Sequence, residues 1–306
     1  MRILLIGQAA FGAKVLERLF EKSENVVAVY APPDRAGGRA DPLKEAAVSK
    51  GIVVIQPATY KDELVFTEYK DLKPDLTVLA FVNDIIPAPF LEIPTYGTIC
   101  YHPSILPRHR GASAINWAVI MGDTQTGLSI FWPDDGIDTG RILLQKKIDI
   151  GKDDTTGSLY FNHLFPLGVE AILESIDLIK EGKAPKLPQD ETHATYEPPC
   201  DDRVASIDWN KPVLALYNLI RGCDPQPGAF ALLKGEKIRF YGTKLSDETT
   251  EKTPGTILRI DDKGMHVAVS GGVIIVSKVR QAKGGKVAAA EFAAEQGIHA
   301  GTVFDI

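Results

Sequence analysis

Along the first two-thirds of the chain, short apolar runs alternate with stretches of helical period. The runs are RILLIG (2–7), NVVAVYA (25–31), VVIQP (53–57), DLTVLAF (75–81) and YGTIC (96–100), and helical patterns follow the first two, over 12–22 and over DPLKEAAVSKG (41–51). Apolar strands alternating with helices imply βαβ units and a parallel sheet covered on both faces. The pattern continues with a helix over 112–121, the runs TGLSIFW (126–132) and RILLQKKIDI (141–150), and a long helix over 155–181 that Gly182 closes as a C-cap. From about 183 to 202 prolines and turn residues replace periodicity, which reads as a linker. Beyond it come a short helix over 213–221 and five β-type runs, AFALLKG, KIRFYG, GTILRIDDKG, MHVAVSGG and VIIVSKVR, separated by turn signals. That spacing predicts a small barrel of the OB type. The expected organisation is an α/β, doubly wound, Rossmann-like parallel or mixed sheet over 1–203, linker included, followed by an OB-like β-barrel domain over 204–306.

Composition narrows the class. Hydrophobic content of 44% with 24% charged residues is that of a folded globular protein, so a sizeable core is expected. No run of about 18 apolar residues appears, and Met1 leads straight into the first strand rather than into a signal peptide, so a cytoplasmic protein with no membrane partner is expected. Cys100, Cys200 and Cys223 form no CxxC pair and suit neither a disulfide framework nor a zinc site, which points to a reducing compartment. The net charge of -6 gives no basic footprint for nucleic acid. Residues 204–306 carry 13 basic against 11 acidic side chains and the preceding residues 21 against 29, too small an asymmetry to mark a nucleic-acid domain.

Three segments carry candidate chemistry. The first turn, GQAAFGAK (7–14), is neither GxGxxG nor a P-loop, yet the helix it opens offers free amide groups to a ligand. PDDGID (133–138) places three carboxylates in six residues but lacks the ligand spacing of a calcium loop, and no metal is expected there. YHPSILPRHRGASAINW (101–117) is neither helix nor strand, because Pro103 and Pro107 exclude a regular helix and Gly111 punctuates the end. His102 directly follows an apolar strand, and Asp138 lies 36 residues on, after one helix and one strand. Both loops are expected at the C-terminal ends of strands, the sheet edge where ligands bind, with one βαβ step making the two residues neighbours. A histidine held by a carboxylate has a fixed tautomer and a stabilised protonated form, as general acid/base chemistry requires. A structural histidine is the plain alternative.

HPSILPRHRGASAINW followed by DDGIDTG resembles the folate-dependent formyltransferase family, and DWNKPVLALYNLIRGCDPQPGAF (208–230) resembles the start of that family's C-terminal OB-like domain. Through YHPS, IFWPDDGIDTG, LLQK, LFPLGV and EGKAPKLPQ the chain is most similar to the hydrolase-domain type found in 10-formyltetrahydrofolate dehydrogenase, and next to methionyl-tRNA formyltransferase. No aldehyde dehydrogenase portion is expected among these residues. The resemblance implies 10-formyltetrahydrofolate as formyl donor, no metal, His102 as general acid/base, Asp138 as the aspartate that holds it, and Ser104 shaping the loop. It further implies pterin recognition by the backbone of FVNDII (81–86), with Phe81, Val82, Asn83 and Ile85, bordered by Asp134, Asp135 and Gly136, and a contact from Gln8. Amine formyltransferases of the family carry Asn two residues before the histidine, where it steadies the oxyanion; here that position is Cys100, a weak donor. The reaction implied is hydrolysis of 10-formyltetrahydrofolate. Alternatives are formyl transfer to an amine of methionyl-tRNA, an amino sugar nucleotide or a hydroxyornithine-type precursor, or folate binding without turnover. The loop at 33–44 resembles a shortened tRNA-contacting loop but carries only two arginines.

Overall fold

The computed structural model describes residues 1–305. In chain order the elements are β1 (Arg2–Gly7), α1 (Ala9–Glu21), β2 (Asn25–Tyr30), α2 (Pro42–Ser49), β3 (Val54–Ile55), α3 (Glu63–Asp71), β4 (Leu76–Ala80), α4 (Ala88–Glu92), β5 (Thr98–His102), α5 (Ala114–Ile120), β6 (Gln125–Trp132), β7 (Arg141–Asp149), α6 (Thr156–Leu159), α7 (Phe165–Lys180), α8 (Val213–Gly222), β8 (Phe230–Leu233), β9 (Glu236–Leu245), β10 (Ile257–Asp261), β11 (Gly264–Val269), β12 (Gly272–Arg280), β13 (Val287–Ala288) and α9 (Ala289–Glu295). They form two compact units interleaved in sequence: residues 1–111, 127–148 and 162–196 make the first, and 112–126, 149–161 and 197 onward the second. Among the described residues no helix is long and apolar enough to cross a membrane.

The first unit is built on a seven-stranded sheet of order β3-β2-β1-β4-β5-β6-β7. Pairing is parallel from β3 to β5 and antiparallel between β5 and β6, so the sheet is of the mixed, Rossmann-like kind. Strands β1 and β4 are buried almost throughout, as continuous apolar runs predict. Helix α1 buries Phe11, Gly12, Val15, Leu16 and Leu19, the spacing of one helical stripe. Phe11 stacks on Tyr101 of β5 at 4.5 Å, and Gly168 of α7 sits so close that an added Cβ would lie 2.5 Å from the Tyr101 ring.

Several local readings change. Helix α1 starts at Ala9 rather than 12, and its first amide is not free: Asp41, which caps α2 through Leu43 N, also accepts from Ala9 N at 3.0 and 2.9 Å. A carboxylate of the protein thus occupies the helix N-terminus that the sequence offered to a ligand. Helices α3, α4 and α9 have no counterpart in the sequence reading, although Asp62 caps α3 through Leu64 N at 2.9 Å and is an ordinary start signal. The helix expected over 155–181 is divided by a wide π turn at Tyr160–Leu164 between α6 and α7.

In the second unit, β8 to β12 form an antiparallel sheet of order β10-β11-β12-β9-β8, with β13 paired to β12. These strands are the five apolar runs seen in the sequence. Trp209, Phe240 and Phe304 cluster in the core, with Trp209 and Phe304 ring centroids 5.4 Å apart, and full burial of each such ring contributes about 1.5–3 kcal/mol. Helix α5 belongs here: Asn116 Nδ2 donates to Gly222 O at 2.8 Å and Gln226 O at 2.9 Å. Cys200 and Cys223, separate in sequence, lie with their sulfurs 3.7 Å apart as free thiols.

Candidate functional site

Strand β5 positions the histidine. The two-residue period of a strand puts Cys100 and His102 on one face, and β5 is held from both sides by Leu79 opposite Cys100 on β4 and by Ser129 opposite His102 on β6. The loop that follows is laced to its own sheet. Ser104 Oγ donates to Arg108 O at 2.6 Å, Ser129 Oγ donates to Ser104 O at 2.7 Å, and Gln145 Nε2 donates to Leu106 O at 2.9 Å. Ser104 is wholly buried under the loop. His109, in the left-handed region at φ 55, turns its carbonyl toward His102, whose Nε2 lies 2.8 Å away. A carbonyl can only accept, so Nε2 carries the proton and a neutral ring keeps its lone pair on Nδ1.

Asp138 reaches that nitrogen by a route the sequence did not disclose. Because β6 runs antiparallel to β5, with Phe131 opposite Cys100, β6 leaves the sheet near the start of β5 and not beside His102. The two loops therefore do not share a strand-end edge; residues 133–140 fold back along β5. Asp138 Oδ2 ends 3.5 Å from His102 Nδ1 and accepts from Gly111 N at 2.7 Å. At 3.5 Å the carboxylate is beyond a tight hydrogen bond, and it becomes the ion-pair partner of the ring only once Nδ1 takes up a proton. His102 is 6% exposed, so any charge formed on it is poorly solvated and depends on Asp138.

Cys100 packs against Leu106, Phe131 and Ile142. Burial, and secondarily the Asp138 charge, push its thiol pKa above the ordinary value, so at neutral pH it is a thiol and neither a thiolate nucleophile nor a strong donor. Gln8, Phe81, Val82 and Asn83 meet, with Tyr30, Tyr60 and Asp84, around a small cleft that His102 and Asp138 do not line. Phe81 sits at φ 64, a strained value for an aromatic residue that turns the segment away from β4. Ile85 lies outside the cleft lining and is 80% exposed. Asp134, Asp135 and Gly136 are exposed, and Asp134 Oδ1 is engaged within its turn, accepting from Gly136 N at 3.1 Å and Thr139 Oγ1 at 2.5 Å. The structure thus gathers Cys100, His102, Ser104 and Asp138 at β5, and Gln8 with 81–83 in a separate cleft. Sequence reasoning missed Arg110, Gln189 and Thr195, which bind the loops around the pair; the polar run QDETHATY (189–196) was the available signal, read instead as linker.

The buried histidine faced by a carboxylate thus lies on the fifth strand of the seven-stranded mixed sheet. Residues 1–174 match the family model "Formyl transferase" and residues 201–297 "Formyl transferase, C-terminal domain", and the chain belongs to this folate-dependent formyl transfer family, whose members are enzymes. It is 44% identical over 252 residues to the mitochondrial 10-formyltetrahydrofolate dehydrogenase of Mus musculus, a match covering 80% of this chain and 27% of that one. The chain therefore spans about a quarter of that relative's length. It is 37% identical over 286 residues to the methionyl-tRNA formyltransferase of Acetivibrio thermocellus, with 92% of both chains covered. The crystal structure of HypX from Aquifex aeolicus in complex with tetrahydrofolic acid matches with a TM-score of 0.71 at 19% identity, over 96% of this chain and 47% of that one, a likeness of fold.

Proposed function

We propose that the protein hydrolyses 10-formyltetrahydrofolate to tetrahydrofolate and formate, with His102 as general acid/base and Asp138 as its counter-charge. The observation that carries this reading is the pinned ring of His102, its Nε2 2.8 Å from His109 O and its Nδ1 3.5 Å from Asp138 Oδ2. With Nε2–H committed to the carbonyl, Nδ1 is the basic nitrogen. Water attacks the formyl carbon and passes a proton to Nδ1, while the formyl oxygen takes up negative charge. The imidazolium so formed lies between that oxyanion and the Asp138 carboxylate, and both stabilise it. Collapse breaks the bond from carbon to N10 as Nδ1–H returns its proton to N10, and the formic acid released ionises to formate. The segment at 81–86 and the 134–136 turn are proposed to hold the folate, the first chiefly through its backbone.

Water is favoured as acceptor by Cys100. A weakly donating thiol among apolar side chains stands where amine formyltransferases carry Asn, and the likeness to the hydrolase-domain type points the same way. Transfer to an amine, tRNA-borne or on a sugar, is the second reading, supported by the 92% mutual coverage with the Acetivibrio thermocellus relative. The test is incubation with 10-formyltetrahydrofolate and no amine, following the absorbance of deformylation. Formate release that falls by about 10²–10⁴ in His102→Ala is expected, the range of a general acid/base. Binding without turnover would replace water by an amine acceptor.

A further inference from the structure

Asp138 holds a left-handed backbone at φ 55, a conformation that strains a non-glycine residue and persists only where its surroundings fix it. A side chain far along the sequence supplies that constraint. Gln189 Nε2 donates to Asp138 O at 2.8 Å and to Gly140 O at 2.7 Å, while its Oε1 accepts from Arg110 Nη2 at 2.8 Å and Nε at 3.2 Å. Arg110, 2% exposed, forks on to Glu191 at 2.9 and 2.6 Å. Tyr196 accepts from Arg110 Nη1 at 3.3 Å and donates to Ile137 O at 3.1 Å.

The same segment also holds the histidine's loop. Thr195 N donates to Pro107 O at 3.1 Å, Thr195 O accepts from Arg110 N at 3.0 Å, and Thr195 Oγ1 accepts from His109 N at 2.8 Å. Residues 189–196 therefore bind the loop that presents the acceptor for Nε2 and the loop that presents the carboxylate for Nδ1. We propose that Gln189, seated on Arg110, is a positioning residue that sets Asp138 against His102. An amide is required here: both of its N–H groups meet carbonyls and its oxygen meets a guanidinium, a combination no other side chain of that size offers. A glutamate would keep the acceptor but turn a charged oxygen onto two carbonyls; methionine would keep the shape and lose all four bonds.

The proposal rests on the function proposed above, and the experiment separates the two. Gln189→Met and Gln189→Glu are compared with Asp138→Asn and the Asp138→Asn/Gln189→Met double variant, reading kcat, KM for 10-formyltetrahydrofolate, melting temperature and the ¹⁵N resonances of the His102 ring. A displacement of about 1 Å at a reacting group costs about 100-fold, so a 10- to 100-fold loss of kcat is expected in both Gln189 variants. KM should stay within about threefold, the His102 resonances should move, and Gln189→Met should cause no further loss on the Asp138→Asn background, because residues that act through one another are not additive. Unmoved His102 resonances in a folded Gln189→Met protein, or a loss that multiplies with that of Asp138→Asn, would overturn the positioning role. Full activity of Asp138→Asn would instead sink the proposed mechanism, while the resonances still decide whether Gln189 sets the geometry.

Discussion

At the scale of single residues, the three cysteines differ by environment alone, and that difference is measurable. The Cys223 thiol, hydrogen-bonded to Cys200, holds the Cys200 pKa below its ordinary value, while burial pushes that of Cys100 up. The thiolate is the reactive form, and the Cys223 thiol is itself raised by its hydrogen bond to Cys200 and by burial, so as pH rises Cys200 ionises before either Cys100 or Cys223. Iodoacetamide at pH 8, read by peptide mass, should label Cys200 ahead of Cys100; the reverse order would refute the apolar setting assigned to Cys100. His102 and Asp138 were legible in the sequence because a histidine after an apolar strand and a carboxylate one helix and one strand later form a pattern. Gln189 and Arg110 were not, since their roles arise from hydrogen bonds whose partners are scattered from 110 to 196 and have no fixed spacing.

Among the elements, β5 and β6 decide whether the site exists. Their apolar runs made both strands readable, but an apolar run does not encode direction, and parallel pairing was inferred where antiparallel pairing is found. The fold-back of 133–140 that results requires glycine at its end. A Cβ on Gly140 would lie 1.8 Å from Trp132 O, a backbone atom that cannot yield cheaply. Gly140→Ala should cost about 1–3 kcal/mol, as overpacking does, and should lower both the melting temperature and kcat; calorimetry showing no change would mean that the loop relaxes freely. The unassigned helices α3 and α4 have nine and five residues, lengths at which periodicity barely registers and the cap carries most of the signal. The π turn at Tyr160–Leu164 was invisible because one extra residue in a turn leaves the apolar period on either side intact.

For the molecule as a whole, the two sheets were legible as classes, from apolar runs alternating with helices in one part and regularly spaced turns in the other. How the chain shares itself between the units was not, because α5 and 149–161 read as continuations of the first sheet's pattern, yet their packing partners lie beyond residue 200. Arg221 Nη1 donates to Asp154 O at 2.8 Å, and Tyr217 donates to Asp153 Oδ1 at 2.9 Å. Independent folding of 204–306 is tested by expressing that stretch alone. Deprived of these partners it should unfold at a lower temperature than within the full chain, whereas an equal melting temperature would show that α5 and 149–161 add nothing to it.

The interleaving also bears on how the protein is made. The chain passes from one unit to the other five times before it ends. A ribosome releases sequence in order, and domains that are contiguous in sequence complete themselves one after another as they emerge. Here the first unit cannot close until residue 196 is out, by which time two segments of the second have already been released without the rest of their core. Neither unit can therefore complete itself early, and nascent chains stalled before residue 196 should remain exposed to chaperones and proteases along their whole released length.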